Sequence, residues 1–144
     1  MTEPLTLRIK RLDPEVPLPS YGYEGDAACD LCAREEVTLA PGERAQVATG
    51  LAMAIPEGYA GLVWDKSGLS HRHGLKTMGG VIDAGYRGEV MVAVVNLGKE
   101  AYTIEQYHKV AQLVVQRVEA VTIEEVEELG EAERGERGFG SSGK

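Results

Sequence analysis

Apolar and polar side chains alternate in several short stretches of the chain. In residues 5–10 leucine or isoleucine occupies every second position, with threonine, arginine and lysine between them. A period of two is expected for a β-strand that buries one face. The same alternation recurs in residues 36–40, 43–48, 51–55, 59–64 and 101–105. Turn residues such as Pro41 and Gly42 separate these stretches, and the regular spacing predicts a β-sandwich or a β-barrel.

Two longer stretches, residues 89–97 and 109–118, are apolar on both alternating faces. Strands of this kind are covered on each side, so we expect them in the centre of the core or at a subunit interface. Residues 121–135 fit two alternatives. Apolar residues that recur at every third position favour a short amphipathic helix, whereas the start of the segment also fits an edge strand followed by an acidic arm.

Length and charge limit the classes of function. The chain has 144 residues, a length that fits a single domain. Its formal net charge is −8 at pH 7. Contacts with a nucleic-acid backbone need clustered lysine and arginine, so we expect no nucleic-acid partner and local binding of any polyphosphate. The sequence has neither an apolar signal core at its N-terminus nor an apolar run of about 18 residues, the length that spans a bilayer. We therefore expect a cytoplasmic protein with no membrane partner.

The chain has two cysteines, Cys29 and Cys32, which form a single CxxC. Such a pair occurs in redox sites and as half of a zinc site. His71 and His73 lie far along the chain and do not complete a zinc spacing. We expect two small reduced residues in or near a strand.

Two segments carry residues suited to chemistry. In residues 79–89, Asp83 precedes a Gly-Tyr turn in a pattern typical of a β-hairpin, although an aspartate in such a loop more often only forms the turn. Residues 64–70 combine Lys66, Ser67 and the backbone amide of Gly68. These are donor types that hold phosphate oxygens, but either segment alone is a weak signal.

Together the segments resemble, in order, the five motifs of the trimeric dUTPase family. The motifs stand here as GDAACDLCA (25–33), WDKSGLS (64–70), GGVIDAGYRGE (79–89), KVAQLVVQR (109–117) and RGERGFGSSG (134–143). The resemblance covers nearly the whole chain, and five ordered matches are far more specific than any single one.

The resemblance implies an all-β subunit with the jelly-roll-like distorted barrel of the dUTPase (β-clip) type. It implies a homotrimer in which each C-terminal arm completes a site on another subunit. It also implies Mg²⁺-dependent hydrolysis of dUTP to dUMP and diphosphate, which keeps uracil out of DNA and supplies dUMP for dTMP synthesis. On this basis we expect one domain, 1–144, made of a β core (1–120), a crossing segment (121–133) and a flexible arm (134–144).

The resemblance also assigns roles in the third motif. Asp83 matches the catalytic carboxylate that deprotonates a water for attack on the α-phosphorus. Tyr86 matches the aromatic residue that packs under the deoxyribose and excludes a 2′-hydroxyl. Gly80, Val81 and Ile82 match the backbone segment that pairs with the uracil edge, where cytosine would leave buried polar groups unpaired.

The first, second and fourth motifs match the residues that hold the triphosphate and its metal ion. Asp30 matches the aspartate that holds Mg²⁺ through water, as suits a hard cation that keeps several waters. Ser67 and Gly68 match phosphate-contacting residues, and Gln112 matches a glutamine that also reaches the phosphates. Lys66 stands where the family usually has arginine, so it keeps the charge but loses the bidentate fork.

The fifth motif lies in a glycine-rich tail whose composition alone favours a mobile terminus. Arg134 resembles the arginine that clamps the γ-phosphate, and Phe139 resembles the aromatic residue that stacks on uracil. Gly140, Ser141 and Ser142 resemble a phosphate grip built largely from backbone groups. Closure of such a tail would exclude water from the substrate. The tail also departs from the family pattern, because Arg137 stands where a glycine is usual.

Three other interpretations fit parts of the pattern. The dCTP deaminase group, including bifunctional members, shares the fold and the aspartate of the third motif. A regulatory trimer could bind the nucleotide without turnover, and a structural β-sandwich could contain the same turns. The complete arm from Arg134 to Gly143 favours dUTP hydrolysis over deamination.

Overall fold

The computed structural model describes residues 3–143 as ten β-strands and one short helix. The predicted core and arm also include Met1, Thr2 and Lys144, which lie outside the described residues. The helix is α1 Ser67–His73. The strands are β1 Arg8–Arg11, β2 Cys29–Cys32, β3 Val37–Leu39, β4 Arg44–Ala54, β5 Tyr59–Trp64, β6 Leu75–Met78, β7 Val81–Ile82, β8 Glu89–Asn96, β9 Tyr102–Ile104 and β10 Lys109–Arg117. Within residues 3–143, no helix has the length and apolar character needed to cross a membrane.

Antiparallel pairing builds two four-stranded sheets and one two-stranded sheet. The strand orders are β1-β4-β8-β6, β2-β10-β5-β7 and β3-β9. One cluster of buried residues joins side chains of both larger sheets, for example Val47 and Val92 from the first and Leu31 and Leu113 from the second. Burial of such aliphatic side chains is the main stabilising contribution to a fold of this size.

Most strands predicted from the alternation are present. β5 spans the predicted residues 59–64, and β8 and β10 each end one residue before the predicted boundary. The two predicted strands at 43–48 and 51–55 are a single strand, β4, whose register with β8 shifts between Ala48 and Ala52. Gly50 lies inside this irregularity with a φ of 70°, and a Cβ there would lie 2.7 Å from Val16 Cγ1. This position therefore needs glycine for both its conformation and its space.

Two expectations about local structure are wrong. Residues 121–135 contain neither the helix nor, within one chain, the edge strand. The predicted hairpin at 79–89 does contain the turn, since Tyr86 N donates to Asp83 O at 3.1 Å. However, β7 pairs with β5 and β8 pairs with β4 and β6, so the turn connects strands of different sheets.

β8 and β10 lie in the centres of their sheets, but β8 buries only one face within a single chain. Val90, Val92 and Val94 are buried, whereas Met91 is exposed. The apolar residues on the other face of β8 therefore belong to a surface that one chain leaves partly uncovered.

Candidate active site

The candidate site contains a buried carboxylate held by two lysines. Asp30 lies in β2 with only 7% of its surface exposed. Lys66 Nζ lies 2.6 Å from its Oδ1 and Lys109 Nζ lies 3.1 Å from its Oδ2. Burial alone would raise the pKa of Asp30, but the hydrogen bonds and charges of the two lysines outweigh burial and lower the pKa. Asp30 is therefore ionised at neutral pH.

Gln112 completes this arrangement from β10, where it pairs with Asp30 of β2 on one side and Trp64 of β5 on the other. Its Nε2 donates to the backbone carbonyl of Asp65 at 2.7 Å. A cavity of about 490 Å³ lies above these strands, and Asp30, Lys66, Gln112 and Trp64 line it together with Lys109. The structure thus brings together three residues predicted from separate motifs.

Ser67 and Gly68 begin α1 directly after Lys66. Ser67 is exposed, and Gly68 borders a neighbouring cavity that shares Lys66 and Lys109 with the first. The two lysines therefore stand between two adjoining cavities. This placement suits a ligand with several negative charges, because each ammonium group has three N–H donors and uses one of them on Asp30.

The segment of Gly80, Val81 and Ile82 runs along β5. Val63 N donates to Gly80 O at 2.8 Å, and a Cβ at Gly80 would lie 2.8 Å from Val63 O, so the backbones approach too closely for a side chain. Ile82 points into the core and Val81 is exposed. With its side chain buried, Ile82 can offer a ligand only its backbone groups.

Asp83 is exposed at the turn that follows. Tyr86 is 45% exposed, and its hydroxyl donates to Glu89 O at 2.7 Å. This hydrogen bond fixes the direction of the phenol ring, which stays nearly half exposed. Both residues are therefore presented to the solvent rather than to the core.

The C-terminal tail after β10 contains no strand or helix up to residue 143. Arg134 Nε donates to Arg137 O, and Arg137 Nε donates to Arg134 O at 3.0 Å, so the two arginines form a local turn. Phe139 has a positive φ of 50° and a fully exposed side chain. Ser141 and Ser142 are also exposed.

Three groups of predicted site residues remain apart in the single chain. No residue of 79–89 or 134–143 lines either cavity beside the lysine pair. Of the residues predicted for phosphate and metal binding, Asp30, Lys66 and Gln112 share one cavity and Gly68 lines the adjoining one. Ser67 lines neither cavity, and Arg134 and the rest of the tail do not reach them. The residues predicted for base recognition and proton transfer lie elsewhere.

Sequence reasoning missed Lys109 and Asp65. Lys109 begins the fourth motif, and its signal was a lysine, in addition to Lys66, in a motif already assigned to the site. Asp65 lies beside Lys66 in the second motif. The partners of its side chain lie in β6, a strand that the alternation did not predict, so no local pattern pointed to it.

The two cysteines are free, as expected, and both lie in β2. Side chains three positions apart in a strand point to opposite faces. Cys29 is buried and Cys32 is partly exposed, so they cannot hold one metal ion together.

The donor set also limits how Mg²⁺ could bind. Within residues 3–143, no group of three or more histidine, cysteine, aspartate or glutamate side chains could hold a metal ion. Asp30 is the one carboxylate between the two lysines. Mg²⁺ needs six oxygen ligands and commonly takes some from substrate phosphates and from water. The residues present fit an ion that arrives with a phosphorylated ligand and touches the protein at few points.

The ion pairs of Asp30 predict a dependence of stability on pH. Because its pKa is lowered in the folded state, the unfolded chain binds the proton more readily. The stabilisation is therefore present above the unfolded value of about 3.9 and is lost as the pH falls through the lower folded value. Urea unfolding between pH 7 and pH 3 should show a smaller loss of stability in Asp30→Asn than in the wild type. Equal losses in both proteins would contradict this assignment.

The family model for dUTPase matches residues 14–143. This match spans all five motifs and every strand except β1. The chain belongs to the dUTPase family.

Relatives with the name deoxyuridine 5'-triphosphate nucleotidohydrolase support this assignment. The protein from Mycobacterium tuberculosis is 51% identical over an alignment of 146 residues. The alignment covers 96% of this chain and 95% of that protein. The protein from Corynebacterium glutamicum is 48% identical over an alignment of 147 residues. This alignment covers 100% of this chain and 99% of that protein.

Solved structures agree with the fold. The dUTPase of Staphylococcus bacteriophage 80alpha with dUPNHPP has a TM-score of 0.91 at 33% identity, over 96% of this chain and 99% of that one. A mutant dUTPase from phage phi11 of S. aureus, described with a structural Mg(II) ion, has a TM-score of 0.81 at 30% identity, over 87% and 99%. The predicted all-β, dUTPase-like fold is confirmed.

Proposed function

We infer that the chain is a dUTP diphosphatase that hydrolyses dUTP to dUMP and diphosphate. The observation that carries this conclusion is the cavity in which Asp30, Lys66 and Gln112 meet, from three separate motifs, in a chain whose family match extends over 14–143. Two ammonium groups, an amide and a buried carboxylate are a donor set for a triphosphate with a divalent ion.

In this proposal Lys66, Ser67, Gly68 and Gln112 contact the triphosphate. Their support is geometric, since Lys66 and Gln112 line the cavity and Ser67 and Gly68 continue from Lys66 into α1. Asp30 would hold Mg²⁺ through water. The bound ion would neutralise charge on the phosphates, while Lys66 would contact phosphate oxygens from the other side.

Asp83 serves as the general base. Its carboxylate takes a proton from the attacking water as the water oxygen bonds to the α-phosphorus, and the bond from that phosphorus to the diphosphate oxygen breaks. The backbone carbonyl of Asp83 accepts the N–H of Tyr86 and so fixes the turn, and the residue is exposed. An exposed carboxylate at a fixed turn suits a base that must reach a water beside a bound ligand. The backbone of Gly80, Val81 and Ile82 faces the uracil.

Tyr86 excludes ribonucleotides by packing under the sugar. Replacement of Tyr86 by alanine should therefore raise the ratio of kcat/KM for UTP to that for dUTP by about 10-fold. The matched control is Tyr86→Phe, which keeps the ring and loses only the hydrogen bond to Glu89 O. An unchanged ratio in Tyr86→Ala would remove Tyr86 from sugar recognition.

A homotrimer would unite the three separated groups of residues. Asp83 and the tail do not line the cavity of Asp30 in one chain, so a neighbouring subunit must supply them if all act on one substrate. Arg134, Phe139, Gly140, Ser141 and Ser142 would then close over a partner's site. The crossing segment exposes apolar side chains such as Ile123 and Leu129, which a partner would cover. Light scattering should give the mass of three chains.

The protein would act in the cytoplasm, where its free cysteines stay reduced. Its negative charge agrees with a small nucleotide as partner rather than a nucleic acid.

A substrate panel tests the proposed function against its alternatives. Diphosphate release is measured with Mg²⁺ from dUTP, dCTP, dTTP and UTP, and ammonia release is measured from dCTP. We expect diphosphate chiefly from dUTP and no ammonia. Ammonia from dCTP would assign the chain to the deaminase group, and nucleotide binding without any product would favour the regulatory trimer.

A further inference from the structure

Asp65 is anchored at both its side chain and its backbone. Its Oδ1 accepts the backbone N–H of Thr77 at 2.7 Å and the hydroxyl of Thr77 at 2.6 Å, and its Oδ2 accepts Lys76 Nζ at 2.8 Å. Burial alone would raise the pKa of Asp65, but the hydrogen bonds from Lys76 and Thr77 outweigh it and lower the pKa. The carboxylate is therefore ionised, and holds these bonds, at neutral pH.

These bonds connect the two larger sheets beside the site. Asp65 follows β5, which belongs to the sheet of β2 and β10, whereas Thr77 and Lys76 lie in β6 at the edge of the other sheet. The backbone carbonyl of Asp65 accepts Gln112 Nε2 from β10 at 2.7 Å. Asp65, which lies in the connection from β5 to α1, thus contacts both β6 of the neighbouring sheet and the side chain of Gln112.

Besides Asp65, two residues hold this connection and the helix after it: Leu69, which is partly buried against the core, and Lys66. The following helix α1 fully buries none of its residues, and its N-cap Lys66 makes no side-chain capping hydrogen bond. Lys66 instead extends to Asp30 at 2.6 Å. The direction in which Lys66 and Ser67 leave β5 therefore depends in part on how Asp65, the residue before them, is fixed.

We propose that Asp65 is a positioning residue for triphosphate binding: its bonds to β6 hold Lys66 and Gln112 in the arrangement that receives the phosphates. This inference rests on the proposed function. Asp65 does not touch the substrate. It acts through Lys66, to which it is joined by a peptide bond, and through Gln112, whose side chain donates to its backbone carbonyl.

The test compares a ligand that has phosphates with one that has none. Binding of dUPNHPP and of deoxyuridine is measured for the wild type, Asp65→Ala and Asp65→Asn. Trp64, the single tryptophan, lies beside Asp65 and is 54% exposed in the cavity, so its fluorescence can follow binding of dUPNHPP. Calorimetry follows binding of deoxyuridine. We expect Asp65→Ala to weaken dUPNHPP binding by about 10-fold or more, since charged hydrogen bonds are lost, and to leave deoxyuridine binding unchanged.

The variants are expected to differ in how strongly they weaken dUPNHPP binding. Asp65→Asn keeps an acceptor for Thr77 and should weaken dUPNHPP binding less than Asp65→Ala does. Lys99→Met is the matched control, because Lys99 is exposed and lines neither cavity beside the lysine pair, so it should bind both ligands like the wild type. Thermal unfolding checks that each variant folds, and if Asp65→Ala does not, the comparison rests on Asp65→Asn.

Equal weakening for both ligands would show a merely structural role and overturn the inference, as would unchanged dUPNHPP binding. Failure of the wild type to bind dUPNHPP would instead overturn the proposed function, and this inference with it. The wild-type measurement therefore separates the two failures.

Discussion

Replacement of Asp83 by asparagine should lower kcat for dUTP by about 100- to 10,000-fold, the range that general-base catalysis contributes. Asparagine has nearly the same shape but cannot take the proton of the attacking water. Binding of dUPNHPP should stay close to that of the wild type, because the residues proposed for phosphate binding lie in a different part of the chain. Steady-state kinetics and a binding titration measure the two effects separately.

A matched control for this variant is Glu57→Gln. Glu57 is an exposed carboxylate in the turn before β5, and its neutralisation should leave kcat unchanged. A kcat near the wild-type value in Asp83→Asn would remove Asp83 from the role of base. An equal loss of binding and turnover would instead assign it to substrate binding.

Deletion of residues 134–144 should lower kcat/KM by at least about 100-fold, because several contacts to the charged phosphates and to the base are lost together. The deleted residues that the structure describes, 134–143, form no strand and bury no side chain. The shortened chain should therefore keep its fold and its oligomeric state. Hydrolysis assays, thermal unfolding and light scattering measure these three properties.

The control for the deletion is Glu136→Ala, which changes an arm residue with no proposed contact and should preserve activity. If the shortened chain failed to fold, the tail would belong to the structural core and the account of a closing arm would be wrong. If it hydrolysed dUTP as fast as the full chain, the arm would have no part in catalysis.

Strands that bury one face were predictable from the sequence, because their alternation reflects a surface with one side in water. β5 illustrates this, since its predicted and observed bounds agree. α1 was not predicted, because it buries no residue and therefore carries no apolar stripe. β6 was not predicted because its residues, Leu75–Met78, run apolar, polar, polar, apolar and do not alternate, and β7, with two residues, is too short to show a period.

The members of the candidate site were predicted by resemblance, but their mutual arrangement was not. The pair of Asp30 and Lys109 depends on the register between β2 and β10, which lie far apart in sequence. The support that Asp65 receives depends on where β6 meets the end of β5. Contacts of this kind arise from the topology of the sheets, and the pattern of a single segment contains no information about them.

The measurement that tests the central claim most directly is hydrolysis of dUTP by the wild-type chain in water enriched in ¹⁸O, with Mg²⁺ present. Mass spectrometry of the products locates the oxygen that came from water. We expect dUMP and diphosphate in equal amounts, with one ¹⁸O in dUMP and none in diphosphate, because the water attacks the α-phosphorus. Label in diphosphate, or the absence of these products, would contradict the account.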